Sequence, residues 1–185
     1  MQPPRLDRAD VRLRPLRSHD AESWFAYLSD PRVTELTSYD IRHVSDVSSM
    51  IAGYVAAYED GQFPRWAIAR QSDDMLIGTC GFHTWSVKDK RAELGYDLSP
   101  EYWNRGIATH ALAATLHSAF ATTDLNRAEA LVMVENIASQ HVLEKCGFHK
   151  EGRLRQLRNC RGVFRDFYIY SRLRETDAGQ EHPVP

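Results

Sequence analysis

Along residues 11–16 apolar and polar side chains alternate, Val11, Leu13 and Leu16 against Arg12 and Arg14, which is the period of a strand; Pro15 marks it as an edge. From residue 20 to 28 the period changes. Trp24, Tyr27 and Leu28 fall at i, i+3 and i+4 on one helical face, Ser18 stands where a helix cap belongs, and Asp30-Pro31 ends the run. A second helical stripe, Val47, Ile51, Tyr54, Val55 and Tyr58, spans residues 44–58 and stops at Asp60-Gly61. Residues 66–69, 76–85 and 91–98 then read as three consecutive antiparallel strands, separated by Ser72-Asp73-Asp74 and Lys88-Asp89-Lys90. An Ala-rich helix over residues 106–120 turns Ala108, Leu112, Leu116, Ala119 and Phe120 toward that sheet and leaves His110 and His117 on its wetter flank. A strand over 127–134 follows, then a helix from Asn136 that closes on Gly147 as a left-handed cap, with Phe148 as its hydrophobic partner. Residues 152–157 and 163–172 are the last strands, joined by a hairpin over 158–162. The order of elements predicts one α/β (α+β) domain over residues 10–174, with flexible ends at 1–9 and 175–185.

Composition narrows the function. At 185 residues, 43% hydrophobic and 26% charged, the chain is long enough for one core and short for two. A net charge of −2 gives no reason to expect nucleic acid as a partner. Cys80, Cys146 and Cys160 have no C-x-x-C spacing, so neither a metal site nor a disulfide framework is suggested, and free thiols imply a reducing, cytoplasmic setting. Residues 1–14 lack the apolar core of a signal peptide, and no run reaches the length of a membrane span, so no membrane partner is expected.

The chemistry concentrates in two segments. Ala92-Glu93-Leu94-Gly95-Tyr96 reads as a strand, and Tyr102-Trp103-Asn104-Arg105-Gly106-Ile107-Ala108-Thr109 as a tight loop opening a helix. Backbone NH groups at a helix N-terminus have no intrahelical partner, and the helix dipole places partial positive charge there, so the joint suits an anion. An ordinary strand-loop-helix joint would look the same. The second segment, 135–148, carries Asn136, Ser139, Leu143, Lys145, Gly147 and Phe148 directly after an apolar strand. With both segments at this spacing, the chain resembles the GNAT superfamily of acyl-CoA N-acyltransferases. Its Glu-Leu-Gly-Tyr, Pro100-Glu101-Tyr102-Trp103, Gly106-Ile107-Ala108-Thr109 and Asn136-x-x-Ser139 wording is similar to the ribosomal-protein N-terminal acetyltransferase (RimJ/RimL-like) branch.

The resemblance implies a mixed, mostly antiparallel sheet flanked by helices and splayed between its fourth and fifth strands, with acetyl-CoA as co-substrate and no metal. It places the pyrophosphate on the backbone of Arg105, Gly106, Ile107, Ala108 and Thr109, and the pantetheine arm along Leu94 and Tyr96, for which a plain half-buried strand is the favoured alternative. Trp103 stands at the family's Gln/Arg position and Asn104 where many relatives carry a second glycine. Leu143 occupies the position of the superfamily's Tyr proton donor; Ser139 takes that role in the ribosomal branch, against the alternative of a first-turn Ser bonded to backbone. Asn136 is expected to cap its helix and touch the cofactor arm. Glu93 is the first choice of base, against an exposed strand Glu facing Lys88 or Lys90. Some relatives carry a Glu on the strand after Gly-Phe, where this chain has Arg153, Arg155 and Arg158. Lys150 and seven arginines against Glu151 and Asp166 in residues 150–174 suit an acidic acceptor or the CoA 3′-phosphate, or form a solvated sheet face. Trp24, Tyr39, Trp66, Phe82 and Trp85 are candidates for an acceptor wall, though most belong in a core, and His83 among them is better read as structural. The implied acceptor is a primary amine, foremost a protein or peptide N-terminus. A small amine such as an aminoglycoside, polyamine or amino acid, or a non-catalytic acyl-CoA sensor, are the alternatives, and relatives that pair suggest a homodimer.

Overall fold

A computed structural model describes residues 1–174; the expectation for 175–185 lies outside the described residues. Seven strands form one sheet in the spatial order β1 (Val11–Pro15), β2 (Arg65–Arg70), β3 (Leu76–Ser86), β4 (Arg91–Leu98), β5 (Arg127–Met133), β7 (Val163–Leu173), β6 (His149–Cys160). All neighbours are antiparallel except β4 and β5, whose parallel ladder runs only from Arg91↔Arg127 to Glu93↔Glu129. Beyond Glu93 the two strands part, which opens the predicted splay. Helices α1 (Ala21–Leu28), α2 (Pro31–Thr34) and α3 (Val44–Glu59) belong to one core, and α4 (Ile107–Thr122) and α5 (Ile137–Lys145) to another. The strand period sorts side chains between them: Trp66 and Ile68 of β2 enter the core under α4, and Ala67 enters the one under α1 and α3. Ile107, Ala111, Leu112, Thr115, Leu116 and Ala119 form the buried stripe of α4, while His110 and His117 are exposed as expected. At the N-terminus, Met1 and Leu6 pack against the larger core.

Three local expectations are corrected. Asp30-Pro31 ends the first helix but also starts α2, because the Asp30 carboxylate accepts the Arg32 backbone NH at 2.8 Å and Pro31 sits at N1, where no NH is needed. Ser18 opens a short 3-10 turn and makes no capping bond; Asp20 ties that turn instead, accepting from the Arg17 backbone NH at 2.8 Å and from the Arg14 guanidinium at 2.7 and 2.8 Å. A charged, two-point bond to a buried guanidinium outcompetes a hydroxyl cap. The last hairpin is longer and tighter than its composition suggests. Strand β6 continues to Cys160, and only Arg161 and Gly162 form the turn, both left-handed at φ +53° and +87°, the geometry that matches strand twist.

Candidate active site in the gap between two strands

The divergence of β4 from β5 creates two adjoining cavities. One, of about 480 Å³, is lined by Tyr96, Leu98, Trp103, the start of α4 and one side of α5. The other, of about 310 Å³, passes through the gap and is lined by Glu93, Leu94, Gly95, His83, Ala130, Val132 and Arg158. Leu36, Thr37, Tyr96, Asn136 and Ser139 line both. Any group reaching from one cavity to the other passes these residues.

Ser139 lies in the first turn of α5, where Asn136 caps the helix by accepting the Ser139 backbone NH at 3.0 Å. The Asn136 amide then donates to the Leu36 carbonyl at 3.2 Å, tying α5 to the segment after α2. The Ser139 hydroxyl is 2.7 Å from the Tyr96 hydroxyl, which also lies 3.0 Å from the Ser139 carbonyl. Burial pushes the Tyr96 phenol well above its ordinary range, so it holds its proton at neutral pH. Tyr96 has a single proton for the Ser139 carbonyl and Oγ; directed at Oγ, it leaves the Ser139 proton free to face the cleft. Leu143, one turn on, is fully buried and offers no polar atom.

At the mouth of the larger cleft, Asn104 and Gly106 are left-handed at φ +59° and +73°. The chain thereby turns sharply into α4, whose N-terminus has no side-chain cap and no acidic residue in its first turn. A side chain at Gly106 would carry φ strain that glycine avoids. Gly106, Ile107, Ala108 and Thr109 line this cleft together with Lys145. Uncapped NH groups, the dipole and a nearby ammonium suit a pyrophosphate, and the unpaired edge of β4 beyond Glu93 suits an amide-bearing arm. The residues present therefore fit a CoA thioester. Arg105 does not line the cleft: its guanidinium lies 5.3 Å from the Tyr102 ring and its carbonyl accepts from Arg8 at 2.8 Å.

On the far side of the gap, Glu93 is held by Arg158 at 3.3 Å. The expected alternative partners are engaged elsewhere or absent: Lys90 pairs with Asp124 at 3.5 Å, and no contact from Lys88 to Glu93 occurs among the described residues. A bulge explains the reach of Arg158. Between Leu154↔Phe167 and Arg158↔Arg165 the ladder skips residues, with Gln156 left-handed at φ +50° and its NH bonded to Asp166 at 2.7 Å. The basic segment is thus not a free patch: Arg153 pairs with Asp166, Arg165 with Glu135, and Arg161 donates to the carbonyls of Thr34, Thr37 and Tyr39.

His83 is the extra residue of a bulge in β3, between Phe82↔Leu94 and Thr84↔Glu93, and its ring rests where a side chain on Gly95 would stand. Its Nε2 is 3.4 Å from Arg65 and its Nδ1 is 3.2 Å from the Tyr54 hydroxyl. A guanidinium only donates, so Nε2 accepts and Nδ1 carries the proton. Surrounding protein, then the charges of Arg65 and Arg158, push the imidazole down to about 3, although by surface area the residue is exposed at the cavity mouth. With Nε2 directed at the Arg65 guanidinium, the ring is poorly placed to serve as a base.

Sequence reasoning missed what stands behind this wall. Arg65 and Asp97, both fully buried, pair at 2.7 Å, and Asp97 also accepts from Thr79 at 2.8 Å and from Tyr27. Tyr39 joins through Arg65 at 3.2 Å and Asp97 at 3.5 Å. Only the strand period places Asp97 on the face opposite Tyr96; nothing local in the sequence pairs it with Arg65. Thr37 Oγ, buried between the cavities, has no partner among the described residues.

Comparison with known proteins agrees with this geometry. Residues 10–149 match the Acetyltransferase (GNAT) domain family. The chain is 36% identical over 169 residues to "Uncharacterized N-acetyltransferase YoaA" of Bacillus subtilis (strain 168), covering 91% of this chain and 96% of that one. It is 28% identical over 133 residues to the ribosomal-protein-serine acetyltransferase of Escherichia coli (strain K12), covering 72% and 73%. Among solved structures, Mycobacterium smegmatis RimJ in complex with CoA-disulfide superposes with a TM-score of 0.80 at 28% identity, covering 92% of this chain and 85% of that one.

Proposed function

The chain belongs to the GNAT acetyltransferase family, and from that premise we propose that it moves an acetyl group from acetyl-CoA to the α-amine of a peptide or protein. The observation that carries this reading is the meeting of two cavities at Ser139 and Tyr96, with a phosphate-type cradle on one side and a carboxylate, Glu93, on the other. Acetyl-CoA supplies a thioester carbonyl; attack by a neutral amine forms the C–N bond as the C–S bond breaks. Backbone NH groups of α4 and the Lys145 ammonium hold the phosphates on the cleft side. Ser139 Oγ holds the proton that the departing sulfur takes, and the Tyr96 hydroxyl, 2.7 Å behind it, fixes its orientation. Glu93 takes the proton of the amine, directly or through water, and Arg158 fixes its carboxylate at the gap. The peptide reading is supported by the ribosomal-protein acetyltransferases among the relatives, and three buried free thiols suit a cytosolic setting.

The test separates binding from turnover. Ser139→Ala should lower kcat by roughly 10²–10³ while acetyl-CoA affinity, measured by calorimetry, stays within about twofold, because the proton is needed only as the C–S bond breaks. If affinity falls and turnover of the bound complex does not, Ser139 is a binding residue and this assignment is wrong.

A further inference from the structure

A third groove continues the acceptor side of the gap. It runs between α3 and the outer end of β3, and His83 and Thr84 line both it and the gap cavity. Its walls are Met50, Tyr54, Phe63 and Trp85, with Phe63 and Trp85 stacked face to face. Among the described residues, those lining the groove include no Asp, Glu, Lys or Arg, and of those lining the gap cavity only Glu93 and Arg158 are acidic or strongly basic, and they pair with each other.

Two further observations indicate that this groove is shaped for an extended chain. The β2–β3 ladder ends at Arg65↔Gly81, and the last bond on that side is from the Phe82 NH to the Pro64 carbonyl at 3.2 Å. Beyond it, residues 83–86 pair only with β4 among the described residues, leaving the other edge of β3 open along the groove. Gly53, in the middle of α3, lines the groove and has no atom within 4 Å of where a Cβ would lie. Glycine is a poor helix residue, and no atom of the other described residues would meet a Cβ here, so its missing side chain leaves room on the groove side.

We infer that this groove receives the residues following the acceptor's terminal amine, and that the acceptor is a peptide whose second to fourth residues are uncharged and apolar or aromatic. The inference rests on the peptide-acetyltransferase reading and deepens it. The open edge of β3 offers backbone hydrogen bonds to an extended peptide, and the Phe63–Trp85 stack offers a face for its side chains. Polyamines and aminoglycosides are excluded by the same surface. They carry several positive charges, and the two cavities present one carboxylate, already paired.

The experiment compares peptides sharing one N-terminal residue and differing at positions two to four: Phe/Leu-rich, Ser/Gly-rich, and Lys-rich, with spermidine and kanamycin as non-peptide amines, read by thiol release. Wild type should favour the Phe/Leu peptide over the Lys peptide by at least about tenfold in kcat/KM. Gly53→Met, which fills the groove and improves helix propensity, should bring that ratio toward one. Retained acetyl-CoA binding by calorimetry shows that the variant is folded. Binding of the acetylated Phe/Leu product should change tryptophan fluorescence in wild type, and Trp85→Phe should abolish the change. Acetylation of all three peptides at equal efficiency, with a ratio unmoved by Gly53→Met, overturns the groove while leaving the peptide reading intact. Turnover confined to spermidine or kanamycin overturns both.

Discussion

Arg65 and Asp97 form a buried ion pair behind the gap, Arg65 against His83 and Asp97 at the wall of the larger cleft. Both side chains are removed from water, and what makes that tolerable is the number of bonds: Asp97 accepts from Arg65, Thr79 and Tyr27, and Arg65 also reaches Tyr39 and lies within 6 Å of the Trp24 and Tyr54 rings. Removing one partner leaves the other charge uncompensated. Asp97→Asn should therefore lower stability by about 3–5 kcal/mol, measured by urea denaturation; a loss below about 1 kcal/mol would mean that water or another group replaces the carboxylate. His83 makes a pH prediction. Its folded value lies near 3 against an ordinary 6.5, so on acidification the unfolded chain takes up a proton that the folded chain refuses. The contribution of this group is complete above about pH 6.5 and is lost as pH falls toward 3. The His83 ring signals in NMR should stay those of a neutral imidazole from pH 8 to 5, and titration near 6.5 would contradict the assigned contacts. At this scale the sequence is a partial guide. The Asn136 cap was legible because helix-cap chemistry is local, whereas the bond between the Tyr96 and Ser139 hydroxyls, 43 positions apart in sequence, depends on how α5 docks over β4.

Among the elements, the segment joining α2 to α3 is held over the gap from outside. Arg161, at the tip of the last hairpin, donates to the carbonyls of Thr37 and Tyr39 within it and of Thr34 at the end of α2, Arg158 bonds Ser38 at 3.1 Å, and Asn136 holds Leu36 from within. The segment lines both cavities, so its order is part of the site. Arg161→Ala should raise amide hydrogen exchange across residues 34–39 and raise the acceptor KM by roughly fivefold to tenfold, with a change of less than about 1 kcal/mol in overall stability. Unchanged exchange would show that the hairpin does not restrain it. Strands and long helices were legible as periods because each buries one face. Bulges were not: the one at His83 and the one around Gln156 arise where the ladder yields to a tertiary contact, with Gly95 in the first case and Asp166 in the second. The tight Arg161-Gly162 turn was hidden for a related reason, since residues 158–162 read together as the hairpin loop, whereas Arg158, Asn159 and Cys160 pair with β7.

At the scale of the whole molecule, the sheet is two antiparallel blocks joined by a three-residue parallel ladder, and the gap beside that ladder is where the two cavities meet. The short ladder has a reason. A full parallel pairing of β4 with β5 would consume the backbone edge that faces the cleft and close the passage between the two cavities. In the proposed reaction a thioester held on one side of this gap is attacked by a peptide α-amine arriving from the other. One measurement tests it most directly: incubate the protein with acetyl-CoA and a peptide bearing a free N-terminus, an apolar second residue and one internal lysine, then map the product by tandem mass spectrometry. The account predicts a single acetyl group on the α-amine, and its loss to near background in Ser139→Ala. Acetylation of the lysine alone, or a peptide left unmodified while a small amine is consumed, would contradict it.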